Sequence, residues 1–269
     1  MISVIVGVAI YSNGDTRAVQ DRISAFIEFA KCVMSQRNCA FELIIVEQLV
    51  EPSEGPYFGK VIRDNAIDCQ YRLIKHPVFN KSWILNVGAS LSAGDILAFS
   101  DADIIFGDDY FSLLELALGR SYLIGWNIAP CLNRHATALY VKEPKYKTSW
   151  SEDEVERVSL ANLHGSAGLV DVFRRDFYFD KLGGWNETFF CGGGSDSDLM
   201  LRAYTASGEV NIMDYTMVHL GHVRQQRPER NQEMWRITKV DPARISQIII
   251  EEGCGDPQEP RPLWSKLEV

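Results

Sequence analysis

The alternation of short apolar runs with segments of helical period through the first half of the chain does most to limit how it can fold. Residues 3–11 are an apolar run closed by Ser12-Asn13-Gly14-Asp15, which is turn chemistry. Ile23, Phe26, Ile27, Ala30, Val33 and Met34 then recur on one helical face. Residues 41–47 read as a second strand, 61–66 as a short helix and 71–75 as a third strand. Over 81–91, Ile84, Leu85, Val87 and Leu91 return to helical spacing, and 95–100 read as a fourth strand that ends at Asp101-Ala102-Asp103. Asp109 stands where it can cap a helix running through Leu118. This order predicts a mostly parallel sheet flanked by helices, an α/β fold. Open sheets of that kind bind ligands beyond the carboxyl ends of their strands, which is where Tyr11, Glu47 and residues 101–103 fall.

The second half is less regular. Residues 122–126 and 168–173 look like strands, and 141–163 are polar and charged. That stretch reads as a long loop with a helix over 151–163, where Ser151 and Glu154 fit a capping box. A loop of that length serves either as a lid or as a solvated excursion. Residues 251–269 hold three prolines and many polar groups, and read as a loosely packed tail.

At 269 residues, with 46% hydrophobic and 23% charged side chains, the chain can bury a core without disulfides or a structural metal. A net charge of −9 excludes the overall basic character of a duplex nucleic-acid binder. An anionic ligand must then be held by a local Arg or Lys, by backbone N–H groups or by a bound cation. The six cysteines form no CxxC pair, which argues against a zinc ribbon and for reduced thiols in a cytoplasmic setting. The apolar run at 2–11 is too short to span a bilayer, so any membrane contact is peripheral, brought by a partner or substrate.

Three places carry chemistry. Asp101 and Asp103, two apart at a strand end, can reach one divalent cation and the phosphate it carries, although a short acidic triplet also serves as a cap or solvated turn. Gly192-Gly193-Gly194-Ser195-Asp196-Ser197-Asp198 opens a helix over 198–205. The glycines let the backbone approach a ligand, and Asp196 can take a proton from an incoming hydroxyl; a capped helix after a flexible turn is the plainer reading. His219-Leu220-Gly221-His222 follows an apolar run, and either imidazole can ligate a cation. Residues three apart on a strand face opposite sides, so both bind only if Gly221 bends the chain.

Taken together, these residues resemble the nucleotide-sugar glycosyltransferases of the GT-A fold, most of all the β-1,4-galactosyltransferase and polypeptide N-acetylgalactosaminyltransferase type. Phe79-Asn80-Lys81-Ser82-Trp83-Ile84-Leu85-Asn86-Val87-Gly88 is similar to the stretch FNRAKLLNVG, and Phe99-Ser100-Asp101-Ala102-Asp103 to FSDVD. Leu43-Ile44-Ile45-Val46-Glu47-Gln48 is similar to the second strand, and the block from Gly183-Gly184-Trp185-Asn186-Glu187 to Arg202, with a following His, matches in order. The likeness spans residues 2–225.

The resemblance implies a GT-A (Rossmann-like) domain over 1–250, with a nucleotide-binding half (1–120), an irregular acceptor-side half (121–250) and a tail (251–269). It implies inverting transfer of a hexose (galactose, N-acetylgalactosamine or glucose type) from a UDP-sugar to a hydroxyl, on a glycan or another acceptor, as in cytoplasmic polysaccharide assembly. Mn2+ or Mg2+ would bridge Asp103, with Asp101, to the diphosphate, and His222 would complete the shell, with His219, where the family carries a Met ligand, as a second imidazole ligand. Tyr11, Glu47, Phe79, Lys81 and Asp101-Ala102-Asp103 would surround the nucleotide-sugar. Asp196 aligns with the general base of the family's GGEDDD block. Trp185, Phe190, Gly193, Gly194, Ser195 and Asp198 would lie on the acceptor side, where Trp126 is a further apolar platform and core packing is the competing role for the aromatics. Ser195 stands where the family has Glu, Gly192 where it has Trp, and Lys81 where it has Arg, so the acceptor is left open and a bidentate phosphate clamp becomes a point charge. A sugar-phosphate nucleotidyltransferase is the competing enzyme class, but the turn after the first strand has a single Gly. A non-catalytic carbohydrate-binding module has no need of both the acidic triplet and Asp196.

Overall fold

Seven successive residues, Ile2–Val8, form strand β1, and all but one are buried. A strand hidden on both faces belongs at the centre of a covered sheet. In the computed structural model it lies there, in a five-stranded sheet of order β3-β2-β1-β4-β8 built with β2 (Phe41–Leu49), β3 (Gln70–Lys75), β4 (Ile96–Ser100) and β8 (Val170–Arg174). The first four are parallel and β8 runs antiparallel to β4. The structure describes residues 1–10, 16–50, 57–118, 129–142, 151–159, 169–190, 193–208, 215, 217–221 and 229–263.

Alternation along the strands divides the core between two faces. Val4, Val6, Leu43 and Ile45 pack with Phe26 and Phe29 of α1 (Thr16–Met34). Ile5, Ile44 and Val46 pack with Trp83, Ile84 and Leu85 of α3 (Lys81–Leu91). Helix α3 lies so close that a Cβ on Gly88 would strike Ile5. Helices α2 (Tyr57–Asp64) and α4 (Tyr110–Ala117) complete the first half. Asp109 precedes α4 but makes no side-chain cap bond.

A smaller sheet of order β5-β9-β6-β7 adjoins the first, from β5 (Ile104–Ile105), β9 (Val218–His219), β6 (Ala129–Leu132) and β7 (Val155–Ser159). Helix α5 (Arg134–Lys142) follows β6. A short turn α6 (Arg175–Phe177) runs into a π-helical turn, Tyr178–Leu182, and then come α7 (Ser195–Ser207), α8 (Glu229–Val240) and α9 (Pro242–Glu252).

Two expectations are corrected. The helix expected over 151–163 is strand β7 where the chain is described. Ser151 N and Oγ do donate to Glu154 Oε2, but they close a turn, and antiparallel pairing with β6 then takes the β-branched residues after it. The segment after α9 is not loose over 253–263. Gly255 N and Arg261 N donate to the buried Glu187 carboxylate, Trp83 Nε1 donates to Asp256 O, and Leu263 is buried beside Phe189. The strand expected at 122–126 lies outside the described residues.

Candidate active site

Strand β4 stops at Ser100, and the acidic triplet turns away between the two sheets. Asp101 N donates to Leu169 O at 3.0 Å, and Leu220 N donates to Asp103 O at 2.9 Å. The turn is thus pinned on the β8 side and on the β9 side.

Lys81 enters from below as the first residue of α3. Its position is set by the cap before it: Asn80 Oδ1 accepts from Trp83 N at 3.0 Å, and Asn80 Nδ2 donates to Glu187 O at 2.7 Å. The Lys81 ammonium reaches Asp101 Oδ1 at 2.7 Å and Asp196 Oδ1 at 3.1 Å, and lies 5.9 Å from the Trp185 ring centroid. Asp196 is the second residue of α7, which starts without a side-chain cap after Gly193 and Gly194, at φ 82° and 92°. The two acidic centres expected on opposite sides of the reaction therefore share one ammonium.

Charge here is tightly balanced. Burial opposes the Lys81 charge, but Asp101 and Asp196 outweigh it and hold the group well above the usual lysine range. Burial pushes Asp101 up to about 6; Lys81 opposes this, and the charges of Asp103 and Asp196 add to it.

His219 sits at the middle of the small sheet, its Nε2 3.4 Å from Asp103 Oδ1 and its Nδ1 3.0 Å from Cys131 Sγ. Burial works against the imidazolium, yet Asp103 raises its pKa well above the ordinary histidine value. To ligate a cation, His219 would give up one of these two neighbours. Asp101 and Asp103 offer the hard oxygens that Mg2+ or Mn2+ takes when substrate phosphates supply the rest. Among the described residues no three or more His, Cys, Asp or Glu side chains are grouped to hold a metal ion. The acidic pair fits a cation whose further ligands are phosphate oxygens, and His222, the other expected ligand, lies outside the described residues.

Other expected residues are placed elsewhere or spoken for. Glu47 is buried, and its oxygens accept from Phe58 N, Gly59 N and Tyr71 Oη, so its bonds run to α2 and β3 and not to Lys81. Asp198 is wholly buried, paired with Arg202 Nε at 2.9 Å and bonded by Thr238 Oγ1. Trp185 is a core residue, edge-on to Phe99, and contributes beneath Lys81 instead of at a surface. Ser195 is buried with no hydrogen-bond partner for its hydroxyl. Phe79 packs partly against the α3-side core and Ala102 against the α1-side core. Phe190 is half-buried, its backbone held by Asn231 of α8. Tyr11, Trp126, Gly192 and His222 lie outside the described residues. The sequence reading missed Asn231, Thr238 and Cys131; none carries a motif, and each matters through what it touches.

The sheet order, the carboxyl-end site and the second sheet define the GT-A fold. No protein-family model matches the chain, and no curated protein matches its sequence. Solved structures do match. The crystal structure of S. aureus TarS 1-349 in complex with UDP superimposes with a TM-score of 0.60 at 14% identity, covering 93% of this chain and 70% of that one. The complex of the same TarS fragment with UDP-GlcNAc gives 0.60 at 13% identity, with 93% and 70% covered. A structure of S. aureus TarS gives 0.54 at 12% identity, covering 93% of this chain and 42% of that one. No described helix is long and apolar enough to cross a membrane.

Proposed function

We propose that this protein is a metal-dependent inverting glycosyltransferase that moves a hexose, of galactose, N-acetylgalactosamine or glucose type, from a UDP-sugar to a hydroxyl group of a glycan or similar acceptor. The observation that carries this reading is the Lys81 ammonium held between Asp101 and Asp196. It brings the acidic turn at the end of β4 and the first turn of α7 to one place. The likeness of fold to TarS structures determined with UDP and with UDP-GlcNAc supports the donor class.

On this reading the acceptor hydroxyl attacks the anomeric carbon from the face opposite the diphosphate. Asp196 takes the hydroxyl proton as the new carbon–oxygen bond forms. The bond from the anomeric carbon to the diphosphate oxygen breaks, UDP departs, and the sugar configuration inverts. Lys81 keeps a positive charge beside the carboxylate that must stay ionised and beside the developing negative charge of the leaving group. A divalent cation held by Asp101 and Asp103 would screen that diphosphate charge when bound.

The test is UDP release from a panel of UDP-hexoses with Mn2+, with and without EDTA, across an acceptor panel, with the product anomer assigned by NMR. Release that EDTA abolishes, with inverted configuration, is expected. No release from any donor, even by slow hydrolysis, favours a carbohydrate-binding module instead. Asp103→Ala is expected to weaken Mn2+-dependent UDP binding in calorimetry, and an unchanged metal dependence would remove the acidic turn from the metal role.

A further inference from the structure

Helix α8 reaches this site from a part of the chain that carries none of its expected chemistry. Asn231, in the first turn of α8, is only 4% exposed. Its carboxamide engages Phe190 in both directions: Phe190 N donates to Oδ1 at 3.3 Å, and Nδ2 donates to Phe190 O at 2.7 Å. The same Nδ2 donates to Gly193 O at 3.0 Å. One side chain therefore holds the backbone on both sides of residues 191–192. Immediately beyond lie Gly193 and Gly194, both at positive φ, and then Asp196 in the uncapped first turn of α7. Glycines give this entry no side-chain stiffness of their own. A second tie lies further along α8, where Thr238 Oγ1 donates to Asp198 Oδ1 at 2.5 Å.

We propose that Asn231 is a positioning residue for Asp196. It fixes the backbone from which α7 starts, so that the Asp196 carboxylate stays beside Lys81, where an acceptor hydroxyl is to be met. The inference rests on Asp196 being the base. A carboxamide suits the task because it donates and accepts from one planar group; a carboxylate of the same shape cannot donate to the two carbonyl oxygens, and alanine does neither. A shift of about 1 Å in a reacting group costs on the order of 10²-fold in rate.

Two variants, Asn231→Asp and Asn231→Ala, are made in the full chain, and circular dichroism selects the folded ones. Amide hydrogen exchange in the absence of substrate is read at Phe190, whose N–H donates to Asn231 Oδ1, and at Asp198, whose N–H closes the first turn of α7 on Gly194 O. Faster exchange confined to these amides is expected, and unchanged exchange overturns the inference whether or not any sugar is transferred. Kinetics with the UDP-sugar and acceptor form the second arm. The kcat for transfer is expected to fall roughly 10²-fold with the UDP-sugar Kd unchanged. In an Asp196→Asn background the same variants are expected to add little, because residues acting as one unit are non-additive. A full multiplicative loss in that background, or a normal kcat despite faster exchange, overturns the link to Asp196. Absence of transfer by the unaltered protein would instead strike the glycosyltransferase reading, and the exchange arm would still decide whether Asn231 fixes the loop.

Discussion

Lys81 is one cation answering two anions, Asp101 and Asp196, that come from different halves of the chain. Of these, Asp196 stands in the first turn of a helix after a glycine pair, and its carboxylate accepts from Lys81. Asp196→Asn is therefore expected to keep the fold and UDP-sugar binding while lowering transfer by about 10²–10⁴-fold, read as kcat against Kd. Equal transfer by the variant would remove it from the base role. Glu47 shows the opposite balance. Its carboxylate closes the start of α2 and accepts from Tyr71, so Glu47→Gln is expected to cost about 1–3 kcal/mol in urea unfolding and to leave UDP-sugar binding unchanged. A loss of binding without a loss of stability would return Glu47 to the nucleotide. At this scale the acidic turn and Asp196 were legible because the residue types themselves carry the chemistry. Asn231 was not, since an asparagine in a polar run announces nothing until its backbone partners are known.

Among the elements, β1 to β4 and the helices between them were read from the sequence to within a few residues, because a buried parallel strand is a continuous apolar run and a covering helix shows its period plainly; the two-residue β5 was not. Strand β7 was misread. The local signal of Ser151 and Glu154 is real as a turn, but the fate of the residues after it is decided by the distant strand β6. Helix α9 had a readable start, Asp241 capping with Pro242 just inside, and only its end, Glu251 and Glu252, fell within the expected tail. Helix α7 is held by a buried ion pair in which Arg202 also donates to Leu182 O and Gly184 O. Asp198→Ala would leave that guanidinium without its counter-charge, and a loss of about 3–5 kcal/mol in denaturant unfolding is expected. An unchanged midpoint would show that Arg202 finds another partner.

For the whole molecule, the segment after α9 matters most. It supplies Gly255 N and Arg261 N to Glu187, whose Oε1 also takes Asn86 of α3, and it seats Leu263 in the third core cluster. Burial raises the Glu187 pKa while these donors oppose the rise. Truncation after Glu252 strips two donors from a buried carboxyl and is expected to cost about 3 kcal/mol or more, seen as a lower urea midpoint. A truncated chain as stable as the full one would make the segment an accessory. Composition concealed this closure: three prolines and many polar groups resemble a free end, and only the partners of Glu187 distinguish the two.

The bonds of Glu187 lead straight to catalysis on the proposed reading. Its carbonyl oxygen holds Asn80, and Asn80 sets the helix start from which Lys81 projects. A nascent chain that has left the ribosome only as far as α9 lacks the donors that steady this block. Sugar transfer would then wait until the residues around Leu263 have emerged and folded back onto this block.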